Sequence, residues 1–321
     1  MSSNLVCAGI DIGGTNSEIG LVDKEGRVLF RETLPTKNYS EPDAFIKDAM
    51  RVIREGLDET DTLLRGIGIG APSANYYSGS IEHAPNMPWK GIVPLAEGFM
   101  RESGQVSVIT NDANAAALGE QLFGAAKGLS NFVVVTLGTG LGSGFVVNDQ
   151  VLYGHDGFAG ELGHVIIEKH GRLCGCGRKG CLETYVSATG IVLTAKEMLA
   201  NDSRASSLRN IAIEKLESRH IAEAAKAGDE LALDLMERTG EWLGLALANM
   251  MAITSPSHIF FYGGLAKAGD LILAPTKKYF NQYVLRNFAG KAQLQLSGLP
   301  EHAAVLGAAA LAWKETSKEL D

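Results

Sequence analysis

The chain has 321 residues, 45% of them apolar and 21% charged, enough to bury a full core and to build about two domains. A formal net charge of −8 argues against a general binder of nucleic-acid backbones, whose affinity rests on Lys and Arg displacing counterions. The N-terminus lacks a basic flank followed by a long apolar run, and nowhere do about 18 apolar residues stand together, so no membrane partner and a cytoplasmic location are expected.

LVCAGIDIGG is a β-rich run ending in a glycine turn, and EIGLVDKEG followed by RVLFRETL reads as a hairpin turning at Lys24, Glu25 and Gly26. From Pro42 to about Glu59, Phe45, Ile46, Ala49, Met50, Ile53 and Leu57 recur at helical spacing. GIGIG reads as a buried strand, VSVIT as another, and ANAAALGEQLFGAA as the helix that follows. FVVVTLGTGLGSGFVV then repeats the strand, glycine turn, strand order of the opening segment and points to an internal duplication. A long helix from about Glu230 to Ile253, a strand at HIFFYGG and a last helix from about Ala303 to Lys314 complete an α/β chain with two related halves and a cleft between them. The expected division is a smaller N-terminal domain, residues 1–111 plus about 303–321, and a larger domain of residues 112–302.

The two glycine turns run from Asp11 through Gly13, Gly14, Thr15 and Asn16, and from Thr136 through Gly138, Thr139 and Gly140. Each alone is an ordinary hairpin turn. At matching places in two halves, they form a clamp for a polyphosphate, with Asp11 able to hold Mg²⁺ directly or through water. Neither is a P-loop, since no G-x-x-x-x-G-K-[ST] occurs. Gly263 and Gly264 end a third strand, where an adenine or ribose can lie. Asn111 and Asp112 fit a helix cap. Asp112, at a strand's C-terminal end in an open α/β sheet, also fits a group that accepts a proton from a substrate hydroxyl. Asn86, in the proline-bracketed HAPNMPW, can hydrogen-bond a polyol, while Trp89 suits the core.

Three of the four cysteines fall within LCGCGRKGC. Clustered cysteines in a reducing compartment read first as metal ligands. His164, Cys174, Cys176 and Cys181 make a donor set suited to tetrahedral Zn²⁺, with His170 as a competing fourth ligand. Four protein ligands leave no open position, so the ion is expected to be structural. Glu161 and Glu183 flank the set, close enough for the ion to fix both.

GIDIGGTN, GIGIGAP, APNMPW, NDANAAALGE, VTLGTGLGSGFV, GFAGELGH, CGCGRKGCLE and FFYGGL stand in the order of the ROK family of repressors and sugar kinases. Over nearly its whole length the chain resembles that family, above all its glucokinases. The resemblance implies an actin-like, hexokinase-like (duplicated ribonuclease H-like) two-domain fold with ATP and sugar in the interdomain cleft. It implies Asp112 as catalytic base and Asn86, Asn111, Glu161, His164 and Glu183 on sugar hydroxyls. Gly13, Gly14, Thr15, Thr139 and Gly140 would hold phosphates, and Zn²⁺ would sit on His164, Cys174, Cys176 and Cys181. The implied reaction is ATP-dependent phosphorylation of a hexose 6-hydroxyl, glucose first, by a homodimer. Fructose, mannose, allose or an N-acetylhexosamine is the alternative substrate, and polyphosphate or another nucleotide the alternative donor. A sugar-responsive regulator is the other reading. Family repressors carry an N-terminal helix-turn-helix domain, for which the residues before Asp11 are expected to leave no room. Two positions depart from the pattern: Gly70-Ala71-Pro72-Ser73 replaces a G-x-P-G segment, which bears on contacts to one face of the sugar, and Ser143 stands where a glycine is common.

Overall fold

The computed structural model describes residues 4–300 and 303–317. They form two compact units. One comprises the chain up to Leu129, Gln150–Ala159 and the chain from Gly298 onward; the other comprises Ser130–Asp149 and Gly160–Ser297.

The first unit opens with the expected meander, β1 (Leu5–Ile12), β2 (Ser17–Val22) and β3 (Val28–Leu34). Its second turn is fixed by Asp23, whose carboxylate accepts the N–H groups of Glu25 (3.1 Å) and Arg27 (2.8 Å), while Gly26 takes a φ of 86°. Helix α1 (Pro42–Thr60) starts on a proline, whose missing N–H costs nothing in the first turn, and buries Phe45, Ile46, Ala49, Met50 and Ile53. Then come β4 (Leu63–Gly70), a small sheet of β5 (Ala74–Asn75), β6 (Ser80–Glu82) and β7 (Ile92–Val93), helix α2 (Leu95–Ser103), β8 (Ser107–Thr110) and α3 (Asp112–Leu122). The main sheet has the order β3-β2-β1-β4-β8, with β1, β4 and β8 parallel.

The C-terminal helix, Ala303–Ser317, lies almost backbone to backbone on this sheet. A Cβ on Gly68 would come 1.8 Å from the Ala308 carbonyl oxygen, and one on Gly9 would come 2.1 Å from that of Val305. The glycines of GIGIG are therefore there for close approach, and the alternating Ile67 and Ile69 supply the burial. The unit boundary differs from the expected break between residues 111 and 112. Helix α3 packs beneath the C-terminal helix, where a Cβ on Gly307 would lie 2.3 Å from the Ala115 carbonyl oxygen. The return to this unit begins at Gly298, whose N–H bonds the buried Glu120 of α3 at 2.8 Å.

The second unit begins with the hairpin β9 (Phe132–Leu137) and β10 (Leu141–Val147); the short β11 (Gln150–Val151) already belongs to the first unit. There follow α4 (Ala188–Asn201), α5 (Ser218–Lys226), α6 (Glu230–Thr254), β12 (His258–Tyr262), α7 (Asp270–Tyr283) and β13 (Gln293–Leu296). Strand order β10-β9-β12-β13 reproduces β2-β1-β4-β8, so the duplication read from the glycine turns is present in the topology. Helices α2, α4, α5 and α7 carry no assignment in the sequence reading. In α7 the reason is Pro275, a helix breaker by propensity, which here packs against α6 where a Cβ on Gly240 would approach it to 2.6 Å. Among the described residues no helix is long and apolar enough to cross a membrane.

Candidate active site and metal centre

In the first unit the candidate residues gather at the C-terminal edge of the three parallel strands. Asp11 of β1 pairs in register with Gly70 of β4, and Gly70 pairs with Thr110 of β8. Asn111 and Asp112 follow directly. A Cβ on Gly70 would lie 3.3 Å from the Ala115 Cβ and 3.9 Å from both Asp11 Oδ1 and the Asp112 Cα, so that glycine stands between the two acidic residues. The cap reading is also met: Asn111 Oδ1 accepts the Ala113 N–H at 2.8 Å, as does Asp112 Oδ1. This leaves the Asn111 amide NH₂ as the group it can offer a ligand.

Asp112 is exposed as a whole residue, yet the protein packed around its carboxyl raises it above the ordinary range, partly offset by N–H groups of Ala113 and of Asp112 itself. Asp11, half-buried, is pushed up to about 7 by burial, then by the negative charge of Asp112 and that of Glu18. Two carboxylates close enough for one charge to raise the other's pKa make a natural seat for a cation.

The first glycine turn closes through Gly13 N–H to Asn16 O at 3.0 Å and leaves Thr15 and Asn16 exposed. A Cβ on Gly14 would come 2.1 Å from Asn86 O, so the APNMPW loop lies directly against this turn. Asn86 is exposed there, whereas Trp89 is buried against Phe45 and donates its indole N–H to Tyr39 O. The core reading of that loop holds for Trp89, and Asn86 is left free of the core.

In the second unit the other candidates converge at the ends of β9 and β12. The turn after β9 closes through Gly138 N–H to Gly140 O at 3.0 Å, and Thr139 is exposed at its tip. Thr136 Oγ1 accepts the Gly142 N–H across the hairpin. Gly263, with φ 105°, follows β12 so closely that a Cβ would lie 2.7 Å from Leu137 O, and Gly264 comes next. Glu183 reaches the same turn, 2.7 Å from where a Cβ on Gly140 would stand.

The donor atoms of His164, Cys174, Cys176 and Cys181 all lie within 4.8 Å of one another. A tetrahedral ion with Zn–S about 2.3 Å and Zn–N about 2.0 Å sets its sulfurs about 3.8 Å apart and S from N about 3.5 Å. Cys176 and Cys181 Sγ are 3.6 Å apart, and Cys174 Sγ is 3.7 Å from His164 Nδ1. The spacing already fits the ion. Burial pushes the Cys174 and Cys181 thiols up; at the exposed Cys176 burial acts the same way, but hydrogen bonds from Arg178 prevail and lower it to about 6. His170 is exposed and outside the quartet.

The cluster also lies against two acids. His164 Nδ1 lies 3.6 Å from Glu183 Oε1 and Nε2 lies 3.8 Å from Glu161 Oε2, so one imidazole stands between both carboxylates. Sequence reading missed Arg172. Its guanidinium bonds Thr184 O, Gly190 O, Thr194 and Glu197 and stacks on Tyr185, anchoring the cysteine loop to α4. A lone arginine in a basic loop gives no signal for that.

Residues 7–315 match the family model described as "ROK family". The chain belongs to the ROK family. Among ROK relatives, it is 35% identical to the glucokinase of Thermotoga maritima over 306 residues, 94% of this chain and 96% of that one. The ROK glucokinase of Streptomyces griseus, solved in complex with glucose and AMPPNP, superposes with a TM-score of 0.81 at 32% identity, covering 96% of this chain and 99% of that one. The xylose repressor of Caldicellulosiruptor bescii is 29% identical over 94% of this chain and 77% of its own length. The fold is the hexokinase-like one of these ROK sugar kinases.

Proposed function

We propose that this protein is an ATP-dependent hexose kinase that phosphorylates glucose at its 6-hydroxyl. The observation that carries the reading is Asp112, a carboxylate at the start of α3 beside Asp11, in a chain similar to a kinase solved with glucose and an ATP analogue. A base acts best when its pKa approaches the working pH, and the raised value moves Asp112 that way.

In this reading Asp112 takes the proton from the sugar 6-hydroxyl as that oxygen attacks the γ-phosphorus. The bond to the β–γ bridging oxygen breaks and ADP leaves. Asn86, Asn111, Glu161, His164 and Glu183 hold sugar hydroxyls. The turns at Gly13, Gly14 and Thr15 and at Thr136, Gly138, Thr139 and Gly140 offer N–H and hydroxyl groups to phosphate oxygens. Asp11 and Asn16 face the metal-bound end of the nucleotide, and Gly263 and Gly264 border the adenosine. Mg²⁺ on Asp11, directly or through water, would neutralise phosphate charge; the two crowded carboxylates support that seat. Zn²⁺ on His164, Cys174, Cys176 and Cys181 would supply no chemistry, only a rigid mount for Glu161 and Glu183. A homodimer in the cytoplasm is part of the same proposal.

The test is product analysis by phosphorus NMR after incubation with MgATP and a panel of hexoses and N-acetylhexosamines. Glucose 6-phosphate and ADP in equal amounts are expected. No phosphorylated sugar, with the protein folded and zinc bound, would overturn the reading. The similarity to xylose repressors favours one competitor, a sugar-responsive regulator; specific DNA binding in a gel shift without turnover would establish it instead.

A further inference from the structure

Ser143 is buried on β10, where the resemblance leads one to expect a glycine. Its hydroxyl donates to Gly160 O and accepts the Leu162 N–H at 3.2 Å. The residue between those two groups is Glu161. Glu161 has φ −77° and ψ 56°, and Leu162 N–H reaches Gly160 O at 2.9 Å, which together define an inverse γ-turn with Glu161 at its apex. The Ser143 hydroxyl thus bridges both the donor and the acceptor of the turn that presents Glu161.

That turn needs such a clasp. A three-residue turn holds itself by one bent hydrogen bond, and Gly160, with φ 99°, puts a freely rotating residue just before the acid. Glu161 itself is exposed, and His164 Nε2, 3.8 Å from its carboxylate, bears on the side chain alone, leaving the backbone of the turn to be set by Ser143. Ser143 stands in β10, paired with the buried Val135 of β9, and transmits the rigidity of the sheet to the turn.

We propose that Ser143 is a positioning residue for the sugar: it locks the γ-turn at Gly160-Glu161-Leu162 so that the Glu161 carboxylate is set before the hexose arrives. This rests on the reading of Glu161 as a sugar ligand. The hydroxyl has no donor left for a phosphate oxygen, since its one O–H goes to Gly160 O.

The experiment is steady-state kinetics on Ser143→Ala, Ser143→Thr and Glu161→Gln, with glucose and MgATP varied separately. Losing the hydroxyl should raise the glucose KM about five- to tenfold, with the ATP KM nearly unchanged. The threonine variant, which keeps a hydroxyl on a strand that suits β-branching, should restore the glucose KM. In a Glu161→Gln background, Ser143→Ala should add little, because the two act on one contact. Equal rises in both KM values, or no rescue by threonine, would overturn the proposal and mark Ser143 as a general support of the hairpin. If Glu161→Gln raises the glucose KM and Ser143→Ala does not, the positioning role falls while the sugar-site reading stands. If Glu161→Gln leaves it unchanged, the sugar-site reading of Glu161 fails and the proposal fails with it.

Discussion

Cys176→Ser removes one of four converging donor atoms at the most exposed position of the cluster, where replacing sulfur by oxygen disturbs little packing. Structural zinc sites are worth about 10–16 kcal/mol over four ligands, so one ligand accounts for about 3 kcal/mol, a loss of about 150-fold in affinity. With free zinc at about 100 times the dissociation constant, the wild-type fold gains about 2.7 kcal/mol. In a domain of this size that is about 5–10 °C in Tm. At the same zinc concentration the serine variant retains about 0.3 kcal/mol, or about 1 °C. The assay is thermal unfolding with and without a chelator, alongside metal content and the glucose KM. Chelated wild type and the serine variant should unfold together, below the zinc-loaded wild type. Both should also bind glucose more weakly, because His164 then no longer fixes Glu161 and Glu183. A serine variant with stoichiometric zinc and a full Tm response would refute the ligand assignment. Unchanged glucose KM in zinc-free wild type would refute the mounting role.

Gly68→Ala should destabilise the first unit by about 3 kcal/mol or more, read by urea unfolding, because the new Cβ meets the Ala308 backbone at 1.8 Å and the C-terminal helix must lift. Asp11→Asn should alter the pH dependence of stability in metal-free, nucleotide-free protein. The raised Asp11 pKa contributes stability that is fully present below about pH 4 and lost as pH rises to about 7. The asparagine variant therefore gains on wild type across that window, by at most about 4 kcal/mol, and holds the gain above it. A wild type that instead gains on the variant between pH 5 and 8 would contradict the burial of that carboxylate.

The elements legible in the sequence were those with strong local signals. The meander has its turn residues, α1 its periodicity, and the paired glycine turns revealed the duplication that β10-β9-β12-β13 repeats. The metal quartet was legible because cysteines at that spacing have few other uses, although choosing His164 over His170 took three dimensions. What was hidden depended on tertiary packing. Helix α7 carries Pro275 and forms because it packs on the glycine face of α6, and α3 belongs to the first unit because Gly307 lets the C-terminal helix approach it. The pairing of Ser143 with the Glu161 turn joins segments 17 residues apart, and nothing in either segment names the other.

The most direct measurement of the central claim is kcat for glucose-dependent ADP release from MgATP in wild type and Asp112→Asn. The amide keeps an oxygen for the Ala113 N–H and so preserves the cap, while removing the base. The account predicts a fall of about 10²- to 10⁴-fold in kcat with unfolding unchanged. A variant that turns over within a few-fold of wild type would show that Asp112 does not take the proton.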